Sequence, residues 1–228
     1  MEESTSRLFR NWFDFDGFSA WKLQTKWDYI LFGLLLLIGF MIFFLITCRM
    51  KKNRNPEHAR KVVIRKMNRL GGKGAVCYTD KWVSIDNMTE HCDMISVSKD
   101  RVFLIKVFHY GLEVVGSVHN STWEFRDGKK VFYQDNPMPS LEQQKLVVDR
   151  LLLRNHLRNI PVEPLIIFAD NWGVTQFKIV GLKAKNAVPV RLLRSWRRTY
   201  KLDKVPIEKD KVKAALERCF VEAPQEKA

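Results

Sequence analysis

Cysteine is scarce in this chain, with four in 228 residues, no CxxC pair and no regular spacing, which excludes a zinc ribbon and a disulfide framework. Cys48, Cys77, Cys92 and Cys219 read as reduced thiols of a cytoplasmic domain. Without motif spacing, Cys77, His91, Cys92 and His109 would surround a metal only if folding happened to bring them together. A phosphate-binding glycine loop is also missing. GGKG at 71–74 lacks the following Ser or Thr, the longer spacing and the preceding strand, and a helix C-terminal turn accounts for it. His109, His119 and His156 have no Ser, Cys or Asp at a recognised spacing, so no catalytic triad is legible. There is no internal repeat, no low-complexity segment, and no basic start and small-residue cleavage site of a secretory signal.

Negative charge is the other shortage. Lys and Arg number 39 against 25 Asp and Glu, a net charge of +14. Residues 1–47 hold Arg7, Arg10, Lys22 and Lys26 against Glu2, Glu3, Asp14, Asp16 and Asp28, so the whole excess lies downstream. That balance fits an anionic partner, nucleic acid or lipid headgroup, and equally a solvated juxtamembrane domain that binds nothing specific.

What is present in quantity is an apolar run. Tyr29 to Cys48, YILFGLLLLIGFMIFFLITC, carries no charge over 20 residues. At 1.5 Å per residue such a helix matches a hydrocarbon core of about 30 Å. Trp27 and Tyr29 mark one interface, while Arg49, Lys51, Lys52 and Arg54 crowd the other and keep it in the cytoplasm. The expectation is a single-pass protein of the cell membrane, its N-terminus outside and its globular part cytoplasmic. Residues 1–27, rich in Phe and Trp, read as an aromatic amphipathic segment, 28–49 as the transmembrane helix, and 50–56 as a basic linker.

Downstream, EHARKVVIRKMNRL at 57–70 has a helical period, and Gly71 and Gly72 stop it. AVCYTDKWVSI reads as a strand of mixed alternation and DNMTEH as a loop. MISVS, a polar turn at Lys99, Asp100 and Arg101, and VFLIKVF form a hairpin of buried strands. SVHNSTWEF and KKVFYQ flank a turn at Asp127 and Gly128, continuing the sheet with short antiparallel strands. NPMPS is a break, with Ser140 capping a helix through LEQQKLVVDRLLLRNHL. VEPLIIFAD, FKIVGL and AVPV read as further strands, RLLRSWRRTY and EKDKVKAALERCF as basic helices, and the last residues as a frayed end.

The chemistry concentrates on the central hairpin, which places Asp93 at the start of one strand and Lys106 inside the next. An acid and a lysine on adjacent strands suit a metal-dependent nuclease, where Mg²⁺ needs carboxylate oxygens and the scissile phosphate a positive partner. From about Pro56 to Tyr200 the ordered set resembles the NERD, or nuclease-related, domain. Asp93 opens MISVS, VFLIKVF follows, then Gly111, Gly116, Trp123, Asn136 with Pro137, and Gln143 or Gln144.

The resemblance implies an α/β (α+β) restriction-endonuclease-like fold of the PD-(D/E)XK superfamily, a mixed central sheet with flanking helices, here over 57–200 with a C-terminal helix and tail at 201–228. It also implies what is missing. Lys106 stands where the family has its metal-binding Glu, Phe108 where it has its catalytic Lys, and Arg60 or Ala59 near its helical Glu; Asp93 alone is in place. Replacing Glu by Lys reverses a charge within a few Å of a cation, a repulsion of several kcal/mol at an effective dielectric of about 20. Phe108 cannot neutralise a phosphate. The expectation is therefore a degenerate site without a metal, in which Lys106 pairs with Asp93, and a binding module for DNA, RNA or anionic lipid through Arg60, Lys61, Arg65, Lys106, Arg191, Arg194, Arg197 and Arg198. Two alternatives stand beside it: an active Mg²⁺-dependent nuclease rebuilt from Glu57 or Glu90, Asp93 and Glu113, and a scaffold for another protein.

Overall fold

The computed structural model describes residues 26–53, 55–109, 113–127, 129–169, 176–199 and 207–223. Most of the aromatic N-terminal segment, Gly111, Gly128 and the last five residues lie outside that set. The chain divides into two compact units, Met1–Cys48 and Arg49–Ala228.

Helix α1 runs Lys26–Asn53, so the expected linker is shortened by helix that continues past the apolar run. Its stretch Ile30–Cys48 has a mean hydropathy of 2.9, is long and apolar enough to cross a membrane, and is not buried against protein. Thr47 donates its hydroxyl to the carbonyls of Phe43 and Phe44 (3.1 and 2.9 Å), which satisfies it without water.

The second unit begins with α2, Pro56–Gly71. Asn55 caps it by accepting from the N–H groups of Glu57 and His58, Pro56 sits where its missing N–H costs nothing, and Gly72 ends it at φ +82°. Ala59, Val63 and Met67, four residues apart, form its buried edge. Strands β1 (Val76–Ile85) and β2 (Met88–Val97) then pair through a turn of only two residues. Asp86 and Asn87 both take positive φ, 47° and 63°, as a tight hairpin turn demands. The loop expected over 86–91 is thus corrected to a turn, and Glu90 and His91 lie in a strand.

β3 (Val102–Phe108) completes the expected hairpin with β2, Ile95 opposite Leu104 and Val97 opposite Val102. The turn between them is polar, yet of its three residues only Lys99 is exposed. Arg101 is 2% exposed, and buried Asp100 accepts from Arg101 and from Arg197.

The strands after Gly116 do not extend this sheet. The stretch expected to be one strand breaks into β4 (Glu113–Ser117) and β5 (Thr122–Asp127), and β6 (Lys130–Asp135) follows. The break is held by Asn136, whose Nδ2 donates to the carbonyls of Val118 and Asn120, both at 2.8 Å. The same side chain caps α3, Pro137–Arg154, by accepting from the N–H of Met138. The cap is therefore Asn136 and not Ser140; Pro137 and Pro139 occupy the first turn, where no N–H has a helical partner. The remaining elements are β7 (Val162–Phe168), β8 (Gln176–Val180), β9 (Ala187–Pro189), α4 (Leu193–Thr199), α5 (Lys209–Arg218) and a short β10 (Phe220–Val221).

A six-stranded sheet has the order β10-β1-β2-β3-β7-β9, with β3, β7 and β9 parallel. A four-stranded sheet has the order β6-β5-β4-β8, with β4 and β8 parallel. One core joins Ile95, Val97 and Leu104 to α3, α5 and the smaller sheet. The other packs Phe103, Ile105 and Met94 under α2 and α4. The result is a mixed α/β nuclease-like fold in which β2 and β3 are covered on both faces.

Candidate functional site

Carrying the β2–β3 register two residues beyond Ile95 and Leu104 sets Asp93 opposite Lys106. Lys106 Nζ lies 2.5 Å from Asp93 Oδ2, the pairing expected from the sequence. Asp93 is largely covered and Lys106 half exposed.

The site sits at a fault in the sheet. Strict alternation would send residues an odd number apart to opposite faces. Yet Tyr78 and Val83 pack on the same core, and so do Cys92 and Ile95. The side-chain alternation slips by one residue in both strands, at Asp80 in β1 and next to Asp93 in β2, while their pairing register stays unbroken. Thr79 pairs with Met94 and Lys81 with Cys92, leaving Asp80 and Asp93 facing each other across the slip. Asp80 takes φ +50°, a left-handed value that Asp tolerates better than most residues. Such dislocations re-aim side chains out of the regular pleat.

The slip gathers two carboxylates, whose repulsion is offset by cations on two other elements. Arg60 of α2 binds Asp80 at 2.7 Å. Lys106 of β3 binds Asp93. His91 lies between, its Nε2 3.9 Å from Asp80 and its Nδ1 3.7 Å from Asp93, with its ring against Trp82. Buried Gln144 of α3 holds the backbone here by donating to the His91 carbonyl at 2.8 Å.

One atom each from Asp80, His91 and Asp93 lies within 4.8 Å of the others, the one such group among the described residues. Two carboxylates and an imidazole are a donor set for Zn²⁺ or Mn²⁺ more than for Mg²⁺. Each carboxylate already touches a cation, however. An ion beside Asp93 would stand a few Å from the Lys106 ammonium, a repulsion of several kcal/mol at a dielectric of about 20 unless the lysine withdraws. As now arranged, the residues do not fit a divalent ion.

Phe108 lies in the core, 4% exposed, with its ring 5.1 Å from Phe125 and 5.5 Å from Phe168. Burial, then the nearby Glu90 and Asp93 charges, push the Cys92 thiol up to about 12, which leaves it unreactive. His109 is held below its ordinary value by burial and then by Arg60. The expected substitute acids do not join Asp93. Its group takes in Asp80 and His91 and none of Glu57, Glu90 or Glu113. Glu57 lies exposed in the first turn of α2. Glu113 is on the smaller sheet, paired with Lys178 at 2.6 Å and Arg126 at 3.6 Å.

The expected anion-binding residues divide. Arg60 and Lys106 are committed to Asp80 and Asp93. Arg197 turns inward to Asp100, with its guanidinium over the Phe103 ring. Trp196 is core, its Nε1 donating to the Lys185 carbonyl. Lys61, Arg65, Arg191, Arg194 and Arg198 are exposed. Asp80 was not among the expected site residues, and His91 was named only in a chance metal cluster with Cys77, Cys92 and His109. The signal for Asp80 was the mixed alternation of AVCYTDKWVSI, which is the slip seen in sequence.

Residues 57–169 match the sequence model of a family described as NERD, nuclease-related domain. The chain carries a NERD domain. The match ends at Ala169, yet β9 and β10 complete the larger sheet beyond it. No curated protein and no solved structure matches the chain. Within the NERD domain, the residues of the expected pattern that build the scaffold are engaged. Trp123 is fully buried and donates to the Ser117 carbonyl at 2.9 Å. A Cβ on Gly116 would fall 2.7 Å from the Trp123 ring, so that strand position requires glycine. Asn136 caps α3, and Gln144, rather than exposed Gln143, supports the strand bearing His91 and Asp93.

Proposed function

We propose that this protein is a membrane-anchored NERD domain that keeps the nuclease scaffold without its chemistry and holds an anionic, phosphate-bearing partner at the cytoplasmic face. The observation that carries this reading is the Lys106 ammonium 2.5 Å from Asp93, in the place a cation would need. Scaffold residues and chemical residues have parted company. Gly116, Trp123, Asn136 and Gln144 retain their structural contacts, while Phe108 has become part of the core. Without a metal there is no activated water and no clamp on the leaving oxygen.

The anchor is the apolar stretch of α1, which buries no face against protein and so gains nothing from water-soluble packing. Basic residues crowd its C-terminal side, which favours a cytoplasmic location for everything after it. The downstream positive charge then meets polyanions of that compartment, nucleic acid or lipid.

Divalent-ion titration of the full chain in detergent, followed by calorimetry, tests the reading. Wild type is expected to show no saturable heat with Mg²⁺ or Mn²⁺. Lys106→Glu, which adds an acid beside Asp93, is expected to gain Mn²⁺ binding. Saturable binding to wild type that Asp93→Ala abolishes would overturn the proposal.

A further inference from the structure

Helices α2 and α4 cover the same core on one side of the larger sheet, touch each other, and are tied by Lys66, whose Nζ donates to the Val190 carbonyl at 2.8 Å. Their outer faces are therefore one surface. Lys61, Arg65 and Arg69 stand four residues apart along α2, all exposed, and form a single stripe. Arg191, Arg194 and Arg198 are exposed on and just before α4. Past Glu57 neither stretch contains an acid, and the exposed Asp80 of β1 that borders α2 is bound to Arg60.

Two features decide what such a surface is for. Among the described residues it has no exposed Phe, Tyr or Trp ring on which a base could stack: α2 contains none, and the Trp196 of α4 is buried. It does have an exposed leucine, Leu192, between Arg191 and Arg194. An apolar side chain among arginines has no use against a phosphate backbone but suits the boundary between headgroups and acyl chains. Chain connectivity agrees. α1 ends at Asn53 and α2, which carries the stripe, begins at Pro56, only two residues later.

We propose that the joint α2–α4 face docks on anionic lipid headgroups of the bilayer that α1 crosses, with Leu192 reaching below the phosphates. This rests on the membrane-anchored reading and names its partner. Each arginine or lysine near a negatively charged leaflet favours docking by a factor of about five, screened by salt. Six of them convert a loosely tethered domain into one held flat on the membrane.

The test uses the full chain in nanodiscs of phosphatidylcholine, with or without phosphatidylserine. A fluorophore at Ser195→Cys, in a Cys48→Ser background, reports its distance from headgroup nitroxide lipids. A second labelled protein, Glu142→Cys, probes the opposite side of the sheet on α3, and the Cys48→Ser parent is the blank. Quenching at position 195 and not at 142, only with phosphatidylserine and reversed by salt, is the expected result. Joint substitution of Arg191, Arg194 and Arg198 by Glu should abolish it and by Gln should weaken it, with unchanged near-UV dichroism showing both variants folded. Equal quenching in both lipids would overturn the proposal. So would binding of labelled RNA or DNA through the same arginines without lipid-dependent quenching, which would make the face a nucleic-acid surface. Neither result bears on the divalent-ion titration, so failure here is separable from failure of the inactive-site reading.

Discussion

Arg197 reaches back across 97 residues of chain to Asp100 and joins α4 to the turn of the central hairpin. Both side chains are largely buried, and Arg101 beside them reaches Glu163 on β7 at 3.7 Å. The turn that carries β2 into β3 is therefore clamped by an ion-pair network rather than left in solvent. This is why Arg197, expected to lie among surface cations, has a structural task instead.

Removing one partner of a buried pair leaves the other charge without compensation, at a cost of about 3–5 kcal/mol. Arg197→Ala should accordingly lower the melting temperature in detergent by roughly 6–20 °C. Arg194→Ala and Arg198→Ala, on exposed positions of the same helix, should change stability by about 0.5 kcal/mol or less. Equal effects from all three would show that the clamp contributes little.

Phe108 offers a second check, because the family pattern invites a naive repair. Restoring lysine there would put an ammonium among Phe125 and Phe168. Losing the aromatic ring alone costs about 3–5 kcal/mol, and the buried charge adds to that. Phe108→Lys should thus fail to accumulate as folded protein, while Phe108→Leu should fold with a modest loss. A stable, folded Phe108→Lys protein would mean that this strand end is open.

Glu113 gives a pH signature. The hydrogen bond from Lys178, ahead of the Lys178 and Arg126 charges, holds its carboxyl below the ordinary value of 4.5. A depressed carboxyl stabilises the fold above its unfolded pKa and loses that contribution as pH falls through the folded one. The melting-temperature gap between wild type and Glu113→Gln should be complete at neutral pH and close below about pH 4.5. A gap that persists in acid would show that packing, not charge, carries the difference.

The scaffold is largely legible in the sequence and the detail of the site only partly. Helix α2, the strands of the central hairpin and the buried strand β7 announce themselves through periodicity and apolar density. The pairing of Lys106 with Asp93 follows once the hairpin register is fixed. Asp80 and His91 are harder, because a one-residue slip in two paired strands leaves only a blurred alternation, and nothing local says which strands will meet. The Asp86–Asn87 turn was masked by the polar residues after it, Thr89, Glu90 and His91, which look like loop but stand in a strand. Ser140 resembles a cap as well as Asn136 does, and only the carbonyls of Val118 and Asn120, brought in by the fold, decide between them. The division into two sheets depends on contacts between distant segments and leaves no local trace.

The central claim, that the ammonium of Lys106 has replaced the cation chemistry of the site, is tested most directly by cleavage. Full-length protein in detergent, incubated with single- and double-stranded DNA and RNA in Mg²⁺ or Mn²⁺, should release no more product than Asp93→Ala prepared in parallel. Metal-dependent cleavage by the wild type that is lost in Asp93→Ala would contradict the account.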